Sequence, residues 1–275
     1  PHTPQVAVFD TAFHATMPQR AHVYALPYHF YTDNQVRRYG FHGISFASVA
    51  QSTDRHLGGR LGQLKAVIAH LGNGASITAV DGGRSVDTSM GLTPLEGLVM
   101  GTRPGDIDPG IILFLMRDLG LSPDEVDRVL NKESGMLGLS GVSNDMRDVE
   151  EAAAAGDERS RLALEVYAYR VKKYVGAYAA AMGGLDVLVF TAGVGENDAG
   201  MRSAICQGLE FLGIELDAGL NRAAERTARD IGRQGSRVRV LVVPTDEEGL
   251  IADQTVAVVA GLRAGAGPRA QAGSS

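Results

Sequence analysis

Four short apolar runs, each ending in small or acidic residues, constrain this chain more than any other feature. Gln5–Phe9 (QVAVF) runs into Asp10, and Leu64–His70 (LKAVIAH) into Leu71-Gly72-Asn73-Gly74. Asp186–Phe190 (DVLVF) runs into Thr191-Ala192-Gly193-Val194-Gly195-Glu196-Asn197, and Val238–Val243 (VRVLVV) into Pro244-Thr245-Asp246-Glu247-Glu248. Short apolar runs bounded by turn signals read as buried strands. Ser76–Val80 follows the second run, and Asp81-Gly82-Gly83 turns it back into Arg84–Val86 as a hairpin. Helix signals fill the gaps between these runs. Ser122-Pro123-Asp124-Glu125 places Ser at an N-cap, Pro at the first helical position and Glu three residues on, which predicts a helix over Pro123–Lys132. Asp157–Met182 is Ala-rich and amphipathic and would stop at Gly183-Gly184. Ala218–Ile231 and Glu248–Leu262 read as two more helices. This alternation predicts an α/β fold with its sheet covered by helices. Ligands of such sheets bind outside the carboxyl ends of strands, so the four loops can line one cleft.

Composition narrows the classes. The chain has 275 residues, of which 44% are apolar, enough for a sizeable core and against disorder. With 26 Lys+Arg against 32 Asp+Glu the formal net charge is −6, which disfavours a broad nucleic-acid surface. No apolar run reaches the ~18–20 residues of a membrane span, so no membrane role is expected. The single cysteine, Cys206, excludes an intrachain disulfide and fits a reducing, cytoplasmic setting. The sequence opens on Pro1 and runs almost at once into an apolar stretch, which reads as an excerpt lacking its start. The Gly/Ala/Ser-rich stretch after Leu262 is expected to be disordered.

The loops admit functional and bland readings side by side. His70–Gly74 is either a phosphate-contacting turn, where glycines let backbone N–H groups reach an anion, or an ordinary Asn-Gly hairpin. Gly193-Val194-Gly195-Glu196-Asn197 is either a nucleotide turn opening a helix or a tight turn with Asn197 or Asp198 as N-cap. It is neither a dinucleotide fingerprint, since Asp198 stands where the third glycine belongs, nor a P-loop. Arg103 can clamp a phosphoryl group, or simply pair with Asp106 or Asp108. His42 can donate to developing negative charge, or serve structure alone. Asp10, Glu247 and Glu248 supply the oxygen ligands that Mg²⁺ prefers, or in the last two cases a favourable first-turn charge.

Together these segments resemble the acetate/propionate kinase family. The matching stretches, in family order, include Val8-Phe9-Asp10-Thr11-Ala12-Phe13-His14, Arg38-Tyr39-Gly40-Phe41-His42-Gly43 and His70-Leu71-Gly72-Asn73-Gly74-Ala75-Ser76. Asp87–Gly97, Thr102-Arg103, Gly105–Pro109, Asp145-Met146-Arg147-Asp148, Phe190–Gly193, Gly195-Glu196-Asn197 and Pro244–Glu248 follow. The resemblance implies a ribonuclease-H-like α/β fold of the acetate-and-sugar-kinase/actin superfamily. It implies reversible transfer of the ATP γ-phosphoryl to acetate, giving acetyl phosphate and ADP, with Mg²⁺ (or Mn²⁺) and a homodimer. By resemblance Asp10, His42 and Arg103 are catalytic. His70, Leu71, Gly72, Asn73, Gly74, Asp145, Met146, Arg147, Gly193, Val194, Gly195, Glu196 and Asn197 bind nucleotide, and Glu247 associates with the metal.

The family's N-terminal phosphate turn and its later substrate arginine have no counterpart here, so the chain reads as lacking roughly the first third. Residues 12–248 would then form the C-terminal nucleotide-binding domain, with 1–11 and 249–265 as remnants of the N-terminal domain and 266–275 as a disordered tail. Three smaller departures stand out: Gly43-Ile44-Ser45-Phe46 where the family often reads Gly-Thr-Ser-His, Pro104 for Ser, and Gly249 for a larger apolar residue. A propionate or short-chain acyl kinase, or an inactive nucleotide-binding fragment, are the competing expectations.

Overall fold

The computed structural model describes residues 3–265, with side chains to residue 261. The expected tail over 266–275 lies outside the described residues. Six strands form one mixed sheet: β1 (Lys65–Leu71), β2 (Ala75–Asp81), β3 (Arg84–Thr88), β4 (Val187–Thr191), β5 (Arg229–Asp230) and β6 (Arg239–Val242). Their order is β3-β2-β1-β4-β6-β5. β1, β4 and β6 run parallel, while β2, β3 and β5 are antiparallel to their neighbours.

Helices surround the sheet in chain order: α1 (Gln19–His22), α2 (His29–Asn34), α3 (Gly43–His56), α4 (Gly110–Arg117), α5 (Pro123–Lys132) and α6 (Gly135–Ser140). They continue with α7 (Met146–Ala154), α8 (Glu158–Met182), α9 (Ala192–Asn197), α10 (Ala199–Cys206), α11 (Ala218–Arg222) and α12 (Glu247–Gly265). Alternate residues of each central strand feed two cores. Val67, Ala69, Leu188, Phe190 and Val240 pack with Tyr167, Val171, Val175 and Tyr178 of α8. Ile68, Val187, Val189 and Leu241 pack with Phe46 and Val49 of α3. That two-sided burial is why β1 and β4 read as continuous apolar runs.

Local chemistry set most boundaries where expected. Ser122 and Glu125 close a reciprocal capping box on α5. Asp157 caps α8 through Ser160 N–H, and Gly183 ends it in the left-handed region. Gly82 and Gly83 both take positive φ in the β2–β3 turn.

Two expected elements differ. Gln5–Phe9 is not a strand: among the described residues it has no ladder partner, and Phe9 is 69% exposed. An apolar run becomes a strand only when another strand satisfies its backbone. The helix expected over Ala218–Ile231 stops at Arg222, because Arg229 and Asp230 pair with Val242 and Leu241 at the sheet edge. Tertiary pairing overrides local helix preference there.

His14 ties the first segment to the sheet. It is fully buried, with Nδ1 2.9 Å from Ser85 Oγ and Nε2 3.1 Å from the Phe41 carbonyl. Burial lowers its pKa from 6.5 to about 4. The folded ring is neutral while the unfolded ring charges below pH 6.5, so this stabilisation is complete above that pH and is lost as pH falls towards 4. The shift is worth about 3 kcal/mol. Thermal melts between pH 7.5 and 4.5 should show Tm falling steeply in the native sequence and less steeply in His14→Gln.

Candidate active site

The parallel strands β1, β4 and β6 deliver three loops to the same edge of the sheet. These are Gly72–Gly74, Thr191–Asn197 and Thr245–Glu247. Asp10 reaches this edge without a strand. Its carbonyl accepts Gly43 N–H (2.7 Å), and its carboxylate accepts His42 N–H (2.7 Å) and Ile44 N–H (3.3 Å). Asp10 thereby satisfies free donors at the start of α3. It also holds His42 at φ +58, a left-handed conformation that is costly for a side-chain-bearing residue.

That backbone aims the His42 ring at Arg103. A methyl group built on Gly74 would lie 2.9 Å from Arg103 Nη2 and 3.3 Å from His42 Nε2. Guanidinium, imidazole and the Gly74 backbone thus converge on one spot. His42 Nδ1 lies 2.9 Å from Ser76 Oγ. With the serine hydroxyl donating there, Nε2–H is left free to donate into the site. Burial lowers the His42 pKa, and Arg103 adds to this against the opposing pull of Asp10. The ring is therefore a neutral donor at pH 7. It stacks on His70 at 4.2 Å. His70 Nδ1 lies 2.8 Å from Ser45 Oγ, itself 2.9 Å from Thr245 Oγ1, so the ends of β1, α3 and β6 are linked.

The bland reading of Arg103 does not hold. Asp106 is spent elsewhere: its carboxylate accepts Gly97 N–H at 2.9 Å and the Tyr174 hydroxyl at 2.8 Å. Asp108 accepts Gly110 N–H. Arg103 donates from Nη1 to the Pro94 carbonyl, leaving Nη2 towards Gly74. The hairpin reading holds for the backbone: Gly72-Asn73-Gly74 joins two antiparallel strands paired from Leu71 and Ala75, with neither glycine at positive φ. What Gly74 contributes is the missing side chain, since a Cβ would enter the space facing Arg103 and His42.

Two carboxylates serve different ends. Glu247, first residue of α12, has its pKa raised by partial burial and then by the negative charge of Asp10. The charge of Asp10 acting on Glu247 places the two carboxylates in one neighbourhood, and a divalent cation takes oxygen ligands and needs only one or two from protein. Glu196 instead turns inward. Its Oε1 accepts Ala192 N–H at 2.9 Å and Thr245 N–H at 3.2 Å, tying the end of β4 to the segment before Glu247. Ala192 sits at φ +65, a second strained residue held by a carboxylate at the site.

Beside this centre lies a cleft of about 610 Å³. Gly72, Asn73, Asp145, Met146, Arg147, Gly193, Val194 and Asn197, all among the candidate nucleotide residues, line it. His70, Leu71, Gly74, Gly195 and Glu196 do not: Leu71 is in the core, and the others belong to the neighbouring Arg103–His42 centre or to the loop after β4. Across the cleft Asn144 Nδ2 donates to Asn73 Oδ1 at 3.0 Å. Asp145 caps α7 and pairs with Arg147 at 2.6 Å. Asn144, Glu150, Tyr167 and Asp198 also line the cleft, and Ser45, Ser76 and Thr245 hold the histidines. Asp198 had a visible signal as an N-cap, and Ser76 and Thr245 lie within the matching stretches. Asn144 stands in a loop, and Ser45, Glu150 and Tyr167 stand on helix faces without a distinguishing pattern.

Comparison with known proteins agrees with this geometry. A family model described as the Acetokinase family matches residues 1–253. The acetate kinase of Coprothermobacter proteolyticus is 57% identical over 263 residues, covering 95% of this chain and 65% of the relative. That of Dictyoglomus thermophilum is 58% identical over 259 residues, covering 94% and 65%. The crystal structure of Porphyromonas gingivalis acetate kinase superposes with a TM-score of 0.89 at 50% identity, covering 92% of this chain and 63% of that one. A propionate kinase from Francisella tularensis gives 0.86 at 46% identity, covering 92% and 64%. The chain thus spans 65% of the length of these curated relatives, and its mixed sheet has the ribonuclease-H-like fold of the acetate-and-sugar-kinase/actin superfamily. On sequence, fold and coverage together, the chain belongs to the acetokinase family.

Proposed function

We propose that this chain carries the phosphoryl-transfer centre of an acetate kinase: reversible transfer of the γ-phosphoryl of ATP to acetate, with Mg²⁺ bound near Glu247 and Asp10. The convergence of Arg103 and His42 over the bare Gly74 backbone, at the end of the 610 Å³ cleft, supports this most directly. Phosphoryl transfer calls for alignment and charge stabilisation rather than covalent help from protein. Arg103 and the Nε2–H of His42 are two donors that can meet equatorial oxygens of the transferring group. Acetate is already ionised at pH 7, so no general base is required. Asp10 therefore works by fixing the His42 backbone, not by removing a proton. A bound Mg²⁺ would neutralise phosphate charge and relieve the Asp10–Glu247 repulsion. The cleft between Asn73, Arg147 and Asn197 receives the nucleotide.

The resemblance to a propionate kinase makes propionate the competing acceptor; one methylene is worth only about 1–3 kcal/mol of discrimination. Trapping acyl phosphate as its hydroxamate, with acetate and then propionate, tests both readings. Acetate should have the higher kcat/KM, and product should require Mg²⁺. A folded chain that binds ATP yet makes neither acyl phosphate would overturn the activity. A cytoplasmic homodimer completes the proposal. No helix among the described residues is long and apolar enough to cross a membrane. The α4 helix buries none of its residues and exposes Ile111, Leu113 and Phe114, apolar surface of the kind a second copy covers.

A further inference from the structure

The cleft has a polar floor that phosphoryl transfer does not use. Glu150 on α7, Tyr167 on α8 and Asp198 at the head of α10 all line it. Tyr167 is 1% exposed, and its hydroxyl has no hydrogen-bond partner. Asp198 divides its carboxylate: Oδ1 accepts Met201 N–H at 2.8 Å as the cap of α10, while Oδ2 is buried without a donor. Buried polar atoms left unpaired are costly, and a native fold retains them where something else supplies the partner. Two ionised carboxylates cannot hydrogen-bond to each other, so Glu150 serves Asp198 only while it carries a proton.

We propose that Glu150, Asp198 and Tyr167 form the polar end of the nucleotide cleft and receive the hydrogen-bonding edge of the nucleoside, with one proton held between the two carboxyls. This rests on the reading of the cleft as a nucleotide site. The Tyr167 hydroxyl is the donor, and the carboxyl oxygens not engaged by the shared proton are acceptors. A nucleoside offers ring nitrogens, an exocyclic group and ribose hydroxyls that match such a mixed set. Partial burial, the hydrogen bond to Asp198 and its negative charge push the Glu150 pKa up to about 7. Burial and the charge of Asp198 push the Tyr167 pKa upward, so it remains a donor.

The surrounding charges are already engaged. Arg202 of α10, which faces Asp198, donates to the carbonyls of Gly195 and Glu196 and to Asn221. Arg147 of α7 pairs with Asp145, and Asn197 donates to the Gly193 carbonyl. Neither cation is free to replace the shared proton. Above about pH 7 the shared proton is lost, and two like charges face the ligand.

Adenosine is the suitable probe, because it has no group titrating between pH 6 and 8.5. Calorimetry on the intact chain should show its Kd rising about ten-fold or more over that range. Glu150→Gln keeps a donor but cannot ionise, so its Kd should stay flat and near the native value at pH 6. Tyr167→Phe should weaken adenosine at both pH values and keep the slope. Tripolyphosphate, which lacks a nucleoside, should bind all three proteins alike. A flat native profile, or a slope retained in Glu150→Gln, would overturn the proposal. If ATP binds normally but neither variant alters adenosine, the polar-floor assignment falls while the nucleotide cleft stands. If neither ATP nor adenosine binds the folded native chain, both fall.

Discussion

Replacing Arg103 with alanine should lower kcat for acyl phosphate formation by about 10²–10³, the loss expected when one transition-state donor is removed. The fold should survive, since the Arg103 side chain makes one hydrogen bond to protein, at the Pro94 carbonyl. KM for ATP should change far less than kcat, because Arg103 is not among the residues that line the cleft. Arg103→Lys should recover only part of the rate: an ammonium places one charge but cannot present the planar fork that keeps Nη1 on Pro94 while Nη2 faces the site. Steady-state kinetics of the native protein and both variants decide this. A kcat within a few-fold of native in a folded Arg103→Ala protein would remove Arg103 from the chemistry.

Gly135→Ala should be nearly as damaging although Gly135 touches no reacting atom. Gly135 sits at φ +63, and a Cβ there would lie 2.1 Å from the Met100 carbonyl oxygen, 2.8 Å from the Arg103 carbonyl oxygen and 2.9 Å from Arg103 N. All three are backbone atoms, so no rotamer change can relieve the contact. Left-handed strain and overpacking together should cost roughly 2–5 kcal/mol. Moving the loop also moves Arg103, and a displacement of about 1 Å at a reacting centre can cost about 10²-fold in rate. The matched control is Gly59→Ala. Gly59 has φ +78 but nothing within 4 Å of the added methyl, so it carries the strain without the collision. Melting curves and kcat for both variants separate the two effects. Native kcat in folded Gly135→Ala would show that the Arg103 loop tolerates the shift.

The parts of the fold legible beforehand were those with short-range causes. The capping box of α5, the Asp157 cap and Gly183 stop of α8, and the Gly82-Gly83 turn each depend on residues a few positions apart. The apolar runs over β1, β4 and β6 were legible because burial on both faces leaves no polar alternation. Gln5–Phe9 and Ala218–Ile231 misled for the complementary reason. Whether an apolar run becomes a strand, or a helix former joins a sheet edge, depends on what lies beside it in space. For the site, the Gly-rich and acidic strand ends marked the right edge of the sheet. They could not separate Asn197, which lines the cleft, from its neighbour Glu196, which braces two strand ends.

The sequence by itself determined an α/β chain whose strand-end loops and long matching motifs belong to one kinase family. Periodicity, capping and turn preference act over a few residues and survive without a fold. Only the tertiary structure decided the partners. It showed Asp106 pinned to Gly97 and Tyr174 and so unavailable to Arg103, and Asp10 spent on the start of α3. It also brought Glu150 of α7, Asp198 at the head of α10 and the buried Tyr167 to one cleft. Apart from Asp106 and Gly97, those hydrogen-bonded pairs join residues 32 or more positions apart. Their strength comes from burial and from the directions in which helices and strands aim side chains, quantities that exist only once the sheet has been ordered and covered.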